Sequence, residues 1–155
     1  MDIFSIITQI IILAVLVLFA YFFISYGTKQ TNTNTPLPAN IPKTGFSVPI
    51  NMSLISLKSL HWGVGKNNIK STIKFVLYNE HITTKFLFSK DTTFDKIERV
   101  DVEDIFNYQV IRITFKDSEL TFGAVLATDE YKKSVLKYFN DHNVPLTDKA
   151  KQLIN

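Results

Sequence analysis

The chain has 155 residues, a formal net charge of +3 and no cysteine. This length is sufficient for one globular domain of ordinary size together with a small additional segment. The lack of cysteine excludes disulfides, thiolate zinc sites and a thiol nucleophile. From Lys29 onward the chain carries 17 basic and 13 acidic side chains, and this net charge of +4 is too small to indicate nucleic-acid binding.

The first element is a continuous apolar segment. No charged residue lies between Asp2 and Lys29, and residues 10–24 are apolar without interruption. A helix over residues 3–26 would span the roughly 30 Å hydrocarbon core of a bilayer. We therefore predict a transmembrane anchor over residues 1–27. It includes Ile10, Leu13, Leu16, Phe19 and Phe22. A cleaved signal peptide is the alternative, but Asp2 replaces the usual basic residues and no small-residue cleavage site follows.

A polar segment connects this anchor to the rest of the chain. Residues 28–45 contain three of the five prolines and no aromatic residue, a composition typical of a linker. As a flexible chain this linker would reach on the order of 25 Å. Lys29 and Lys43 follow the anchor and no basic residue precedes it, so the positive-inside rule places the C-terminal domain in the cytoplasm. The sequence thus predicts a single-pass protein of the cell membrane.

From Phe46 onward, apolar residues recur at every second position, which predicts β-strands. Phe46, Val48 and Ile50 alternate in this way, and Pro49 marks the stretch as an edge strand or a lead-in to one. Residues 61–68, with the sequence HWGVGKNN, have the glycine and asparagine content of a turn.

Residues 73–88 predict a β-hairpin that turns at Asn79 and Glu80. The core-facing pairs are Ile73 with Phe86 and Leu77 with Ile82. The solvent-facing pairs are Lys74 with Lys85, Val76 with Thr83 and Tyr78 with His81. A slip of one residue would bury both lysines, so the register is well specified. The register nevertheless places two like charges opposite each other, an arrangement that lowers stability.

Two more strands follow the hairpin. Residues 92–105 carry the inward candidates Phe94, Ile97, Val100 and Val102. Residues 109–115 place Ile111, Ile113 and Phe115 inward and Val110, Arg112 and Thr114 outward. Residues 116–119 form a turn, and residues 120–122 close the series of antiparallel strands.

The last predicted elements are helical. Thr128 is a favourable N-cap, and an apolar helical face follows it. This face consists of Tyr131, Val135, Tyr138 and Phe139. Lys132, Lys133 and Lys137 lie away from it. Residues 143–155 are expected to form a polar tail or a short helix, over residues 147–154.

These elements predict an α+β, mainly β domain over residues 46–142, built as a bent antiparallel sheet of about six or seven strands whose open end is capped by the C-terminal helix. The expected core consists of Ile73, Phe75, Leu77, Phe86, Ile111, Ile113, Phe115, Val135 and Phe139.

Residues 70–142 resemble the bacterial pleckstrin-homology-like family and, more loosely, its GRAM relatives. The resemblance is carried by KFVLYNEHITTKFLFSKDTTFDKIERVDVEDI, by QVIRITFKDSELTF and by the helix TDEYKKSVLKYFNDH. It implies binding or scaffolding, often next to a membrane segment, and no catalysis.

The residues do not predict an enzyme, a cofactor or a small-molecule substrate. His61, His81 and His142 lie in separate elements and lack the spacing of a metal site. The GVGKNN stretch lacks the P-loop pattern and is interpreted as a turn. Asp101, Glu103 and Asp104 could form an acid–base pair, but without a partner in a cleft they are interpreted as a solvated loop.

Two binding functions remain, ahead of an enzyme. The first is protein–protein interaction or scaffolding in a membrane-associated assembly, through an exposed strand edge or a groove beside the terminal helix. The second is binding of anionic lipid headgroups in the bilayer by Lys66, Lys70, Lys74 and Lys85. The facing lysines have a structural interpretation too, because lysine side chains diverge into water and protect exposed strands from aggregation.

Overall fold

The structure is a computed structural model. It describes residues 36–59, 64–67, 73–86, 89–105 and 107–155, of which 64–67 are described by their backbone. The predicted anchor over residues 1–27 and the candidate binding residue Lys70 lie outside these ranges. Within the described ranges, no helix is long and apolar enough to cross a membrane.

The described residues form nine strands and two α-helices. The strands are β1 (Phe46–Ser47), β2 (Ile50–Leu57), β3 (Val64–Asn67), β4 (Lys74–Leu77), β5 (His81–Lys85), β6 (Ser89–Thr93), β7 (Ile97–Ile105), β8 (Tyr108–Phe115) and β9 (Leu120–Leu126). The helices are α1 (Asp129–Asp141) and α2 (Asp148–Gln152), and a single 3-10 turn (Phe94–Lys96) joins β6 to β7. The prediction of a mainly β domain with a C-terminal helix is thereby confirmed.

The strands form two antiparallel sheets instead of one bent sheet. The four-stranded sheet has the order β1-β4-β5-β6, and the five-stranded sheet has the order β3-β2-β9-β8-β7. The chain passes from the first sheet to the second at Pro49, which has no N–H group to continue a ladder. On one side the Val48 N–H donates to Phe75 O at 2.8 Å, and on the other Pro49 O accepts from the Ala127 N–H at 3.0 Å.

The prediction of a turn over residues 61–68 is wrong for Val64–Asn67, which form β3. This strand pairs antiparallel with β2, from Met52 opposite Asn67 to Ile55 opposite Val64. Glycine and asparagine disfavour strands locally, but pairing with β2 satisfies the backbone groups on the side of this segment that faces β2, and this outweighs the local preference.

The main core lies between the two sheets and α1. Phe75 packs there with its ring centroid 5.8 Å from that of Phe122 and 6.4 Å from that of Phe139. The nine side chains predicted for the core all have 9% or less of their surface exposed. Burial of one such Leu, Ile or Phe side chain contributes roughly 1.5–3 kcal/mol to the free energy of unfolding.

Helix α1 begins where the sequence predicts. The Thr128 hydroxyl accepts the Tyr131 N–H at 3.2 Å, and this bond satisfies one of the unpaired donors of the first turn. The predicted apolar face of this helix is buried against the core. Lys132, however, is also buried, so its predicted place on the solvent side is wrong.

The outward positions of β8 are buried as well, contrary to the prediction for Val110, Arg112 and Thr114. On this outer face of the five-stranded sheet, Val110 packs in a second cluster with Leu54 and Val125. Gly123 permits this packing, because a Cβ atom there would lie 2.9 Å from Val110 Cγ1. A period of two shows which residues share a face, but it does not show whether the second face is covered.

Segments on both sides of the predicted domain also pack against it. Leu37 and Ile41, in the predicted linker, contact the main core, and the Gly45 N–H donates to Pro42 O at 2.8 Å in a turn. At the other end Val144 and Leu146 are buried. The folded unit therefore includes residues that the predicted boundaries of 46 and 142 leave out.

Candidate interaction surfaces

The β4–β5 hairpin has the predicted register. Lys74 lies opposite Lys85, Val76 lies opposite Thr83, and Leu77 lies opposite Ile82. At the turn the Tyr78 N–H donates to His81 O at 2.9 Å, and the two rings stack with their centroids 4.3 Å apart. The two lysines therefore project from the same side of the sheet as neighbours.

We call the outer surface of the four-stranded sheet the hairpin face. The alternate residues of β4, β5, β6 and the hairpin turn that form it are half-buried or exposed, whereas the residues between them on the inner surface are mostly buried. The hairpin face consists of Lys74, Val76, Tyr78, His81, Thr83, Lys85, Ser89, Asp91 and Thr93. Its two lysines lie at one end, in a single row with Ser89.

The ammonium groups of Lys74 and Lys85 make no hydrogen bond or ion pair with a described side chain. Other basic side chains in the described ranges do so, for example Lys58 with Glu98 at 2.9 Å and Lys149 with Asp104 at 2.7 Å. The two facing ammonium groups therefore create a local excess of positive charge. Lys66, a third residue of the predicted anion site, has its backbone opposite Ser53 in the other sheet.

Strand β6 forms an edge of the four-stranded sheet. All five of its residues pair with β5, and no other described strand pairs with its far side. Ser89, Lys90, Asp91 and Thr93 are exposed. An edge of this kind presents backbone N–H and C=O groups that can pair with another chain.

The two charged residues of β6 are directed over the sheets. The Asp91 carboxylate accepts the Thr83 hydroxyl at 2.6 Å on the hairpin face. Lys90 Nζ lies 4.9 Å from the centroid of the Phe115 ring, at the end of the five-stranded sheet. Charged side chains that project from an edge strand normally prevent strand addition. These two contacts hold both charges away from the β6 edge.

The edge of β7, by contrast, is partly covered by the chain itself. The Val100 N–H donates to Pro145 O at 2.8 Å, and Val100 O accepts the Thr147 N–H at 3.1 Å. The Thr147 hydroxyl also donates to the Asp101 carboxylate at 2.6 Å. The segment after α1 thus occupies part of the position that an added strand would take.

The acidic residues 101, 103 and 104 lie in β7 and not in the solvated loop that the sequence suggested. Glu103 pairs with Arg112 at 2.7 Å, and Asp104 pairs with Lys149 at 2.7 Å. The Lys149 hydrogen bond, then Gln109 and the lysine charge, lower the pKa of Asp104. These contacts and the Asp101–Thr147 bond give the three carboxylates structural roles.

A cavity of about 300 Å³ lies where α1 begins. Its lining residues are Asn107, Tyr108, Gln109, Val125, Leu126, Thr128, Asp129 and Lys132. The buried Lys132 ammonium donates to Asp129 Oδ1 at 2.7 Å and to Gln109 Oε1. The hydrogen bond from Lys132, reinforced by its charge, lowers the pKa of Asp129. Tyr108, at the cavity rim, has 46% of its surface exposed.

The described side chains offer no group of three or more His, Asp or Glu residues that could hold a metal ion. His81 stacks on Tyr78, and His142 Nδ1 lies 2.8 Å from Tyr138 O at the end of α1. Both histidines therefore have packing roles at the ends of elements.

Comparison with known proteins does not assign the chain to a family. No protein-family model matches it, and the comparison with curated proteins finds no match. The hairpin face and the β6 edge are the features of the described residues that indicate a function.

Proposed function

We propose that the chain is a single-pass membrane protein whose β-rich domain is a pleckstrin-homology-like module that binds another protein in a membrane-associated assembly. The order of elements supports this proposal. Strands β4, β5 and β6 are antiparallel neighbours in one sheet, and β7, β8 and β9 are antiparallel neighbours in the other. Helix α1 follows β9 in the chain. The short β1 and the longer β2 together connect the two sheets on the N-terminal side.

The free edge of β6 is the observation that carries the proposed function. A partner that adds a strand there would gain main-chain hydrogen bonds along five residues. The edge belongs to a sheet whose inner surface packs in the main core, so its conformation is fixed before a partner arrives. A preformed edge reduces the entropy that binding must overcome.

Site-specific photo-crosslinking of the full-length protein in its native membrane tests this function. A photoreactive residue at Ser89 is expected to give a discrete protein adduct. The same residue at Lys137, an exposed position on α1, is the matched control and should give only background. Identical patterns from both positions, or adducts with lipid alone from Ser89, would contradict the proposal.

The second candidate function is binding of anionic lipid headgroups. The observation that favours it is that Lys74 and Lys85 face each other and that neither ammonium group has a carboxylate partner among the described residues. A basic residue close to an anionic membrane contributes about 1 kcal/mol. In nanodiscs of anionic lipid, this function predicts salt-sensitive protection of both amines from acylation. Lys133 and Lys137, exposed on α1, serve as internal controls. Equal acylation in neutral and anionic nanodiscs would exclude it.

A further inference from the structure

We infer that the partner of the β6 edge is an extended acidic segment. It adds antiparallel to β6 and places a carboxylate side chain opposite Ser89, where the Lys85 ammonium binds it and Lys74 adds a second positive charge. This inference rests on the proposed function and specifies the chemistry of the partner.

The added strand is expected to run antiparallel to β6. Every strand in the four-stranded sheet runs antiparallel to its neighbours. Antiparallel pairs have straight hydrogen bonds and are slightly more stable per residue than parallel ones. An antiparallel segment would start opposite Thr93 and end opposite Ser89. Its C-terminal part would therefore lie nearest the two lysines.

A row of side chains at that end of β6 brings Lys85 within reach of the added strand. Lys74, Lys85 and Ser89 lie opposite one another on β4, β5 and β6, on the hairpin face. Neighbouring strands are about 4.8 Å apart, so a residue opposite Ser89 would lie about 10 Å from Lys85. The Ser89 side chain lies between Lys85 and that partner residue and is too small to block contact between their side chains. An extended lysine and an extended glutamate side chain can meet over this distance.

The charges along the hairpin face favour an acidic partner residue in this row. Two like charges in facing positions repel each other, and no described carboxylate neutralises them. A partner carboxylate in this row would remove the repulsion and add a charge-assisted contact. The next outward position of the partner would face Asp91, whose negative charge disfavours a second acid there. The expected segment therefore carries one acid at its C-terminal outward position and a basic or hydroxyl residue two positions earlier.

A synthetic peptide tests the inference on the full-length protein in nanodiscs of neutral lipid. The probe is a labelled nine-residue peptide of alternating threonine and valine. It carries lysine at the position that would face Asp91 and glutamate at the position that would face Ser89. One control peptide has lysine instead of that glutamate, and another has N-methylated backbone amides. Binding is measured by fluorescence anisotropy, and its location by hydrogen exchange of residues 89–93.

We expect the glutamate peptide to bind and to slow hydrogen exchange in β6, and the N-methylated peptide not to bind. The lysine control should bind about fivefold to tenfold more weakly, because it lacks the one or two exposed ion pairs that the glutamate makes with Lys85 and Lys74. The Lys85→Glu variant should reverse this order of affinity, whereas Lys137→Glu on α1 should leave it unchanged. The reversal is the readout that a structural role of Lys85 would not produce.

Three results would overturn the inference. They are absence of binding, equal affinity for the glutamate and lysine peptides, and slowed exchange outside β6. Selective protection of Lys74 and Lys85 by anionic nanodiscs, without peptide binding, would assign the lysines to lipid instead. If the peptide fails while Ser89 still crosslinks to a protein, the acidic strand is wrong and the proposed function stands. If both fail, the proposed function is wrong as well.

Discussion

Replacement of Arg112 by methionine tests whether the outer face of the five-stranded sheet is a buried layer. Arg112 Nη1 donates to Glu103 Oε1 at 2.7 Å, Nη2 donates to Leu57 O at 2.8 Å, and Nε donates to Thr121 Oγ1 at 3.1 Å. Only 8% of the Arg112 side chain and 17% of the Glu103 side chain are exposed. The Arg112→Met variant therefore leaves a carboxylate with little solvent and without its guanidinium.

The expected loss is large for a single substitution. Breaking a buried ion pair by removal of one partner costs about 3–5 kcal/mol. For a domain of this size, 1 kcal/mol corresponds to about 4 °C in Tm, so we expect Tm to fall by about 12–20 °C. The double variant Arg112→Met with Glu103→Leu removes both charges, and its stability should return to within about 2 kcal/mol of the original chain.

The assay is thermal unfolding of the full-length chain in mild detergent, followed by near-ultraviolet circular dichroism. Arg99→Met is the matched control, since Arg99 lies in β7 on the same face but is exposed, and its Tm should change by less than about 2 °C. A fall of less than about 4 °C for Arg112→Met, or a double variant no more stable than the single one, would refute the reasoning.

Three further predictions concern the hairpin, the helix and the C-terminal segment. Gly45→Ala should lower the free energy of unfolding by about 1–3 kcal/mol, because φ is +81° at this position and the new Cβ would lie 2.6 Å from the Tyr78 ring. An unchanged Tm would contradict this prediction. Burial raises the pKa of Tyr138 to about 12 from 10.0. Because the pKa of the folded state lies above the ordinary value, the contribution of the buried Tyr138 phenol to stability is complete below pH 10 and is lost as the pH rises toward 12. This loss should be absent in Tyr138→Phe, and parallel stability–pH curves for the two proteins would contradict the prediction. Leu146→Ala should lower the free energy of unfolding by about 2–4 kcal/mol in urea titrations, although it lies beyond the predicted domain end; a neutral effect would show that this segment does not pack on β7.

The hairpin register could be predicted because one face is strongly apolar and the other carries two lysines. A one-residue slip would exchange these faces, so only one register is compatible with burial. The inward residues of β7 were also visible as apolar positions, although Ile97 and Val100 do not share a period of two. A register shift between Ile97 and Arg99 resolves this, since the extra residue returns both side chains to the core.

The candidate surfaces could be predicted only in part. The sequence places Lys74 opposite Lys85, but it does not show that Lys90 and Asp91 turn away from the edge of β6, because both contacts join residues from different strands. Burial of Lys132 depends on Gln109, which lies 23 positions earlier in the chain. A charged residue on an amphipathic helix is ordinarily solvated, and only the tertiary partner reverses that expectation.

The most direct test of the central claim is hydrogen exchange of the β6 backbone in the full-length protein. Exchange is compared between native membranes and nanodiscs of purified neutral lipid. If a partner adds a strand, its hydrogen bonds will slow exchange in residues 89–93 in the native membranes, while exchange in α1 will be the same in both. Equal rates in β6 under both conditions would contradict the claim that this edge binds a partner.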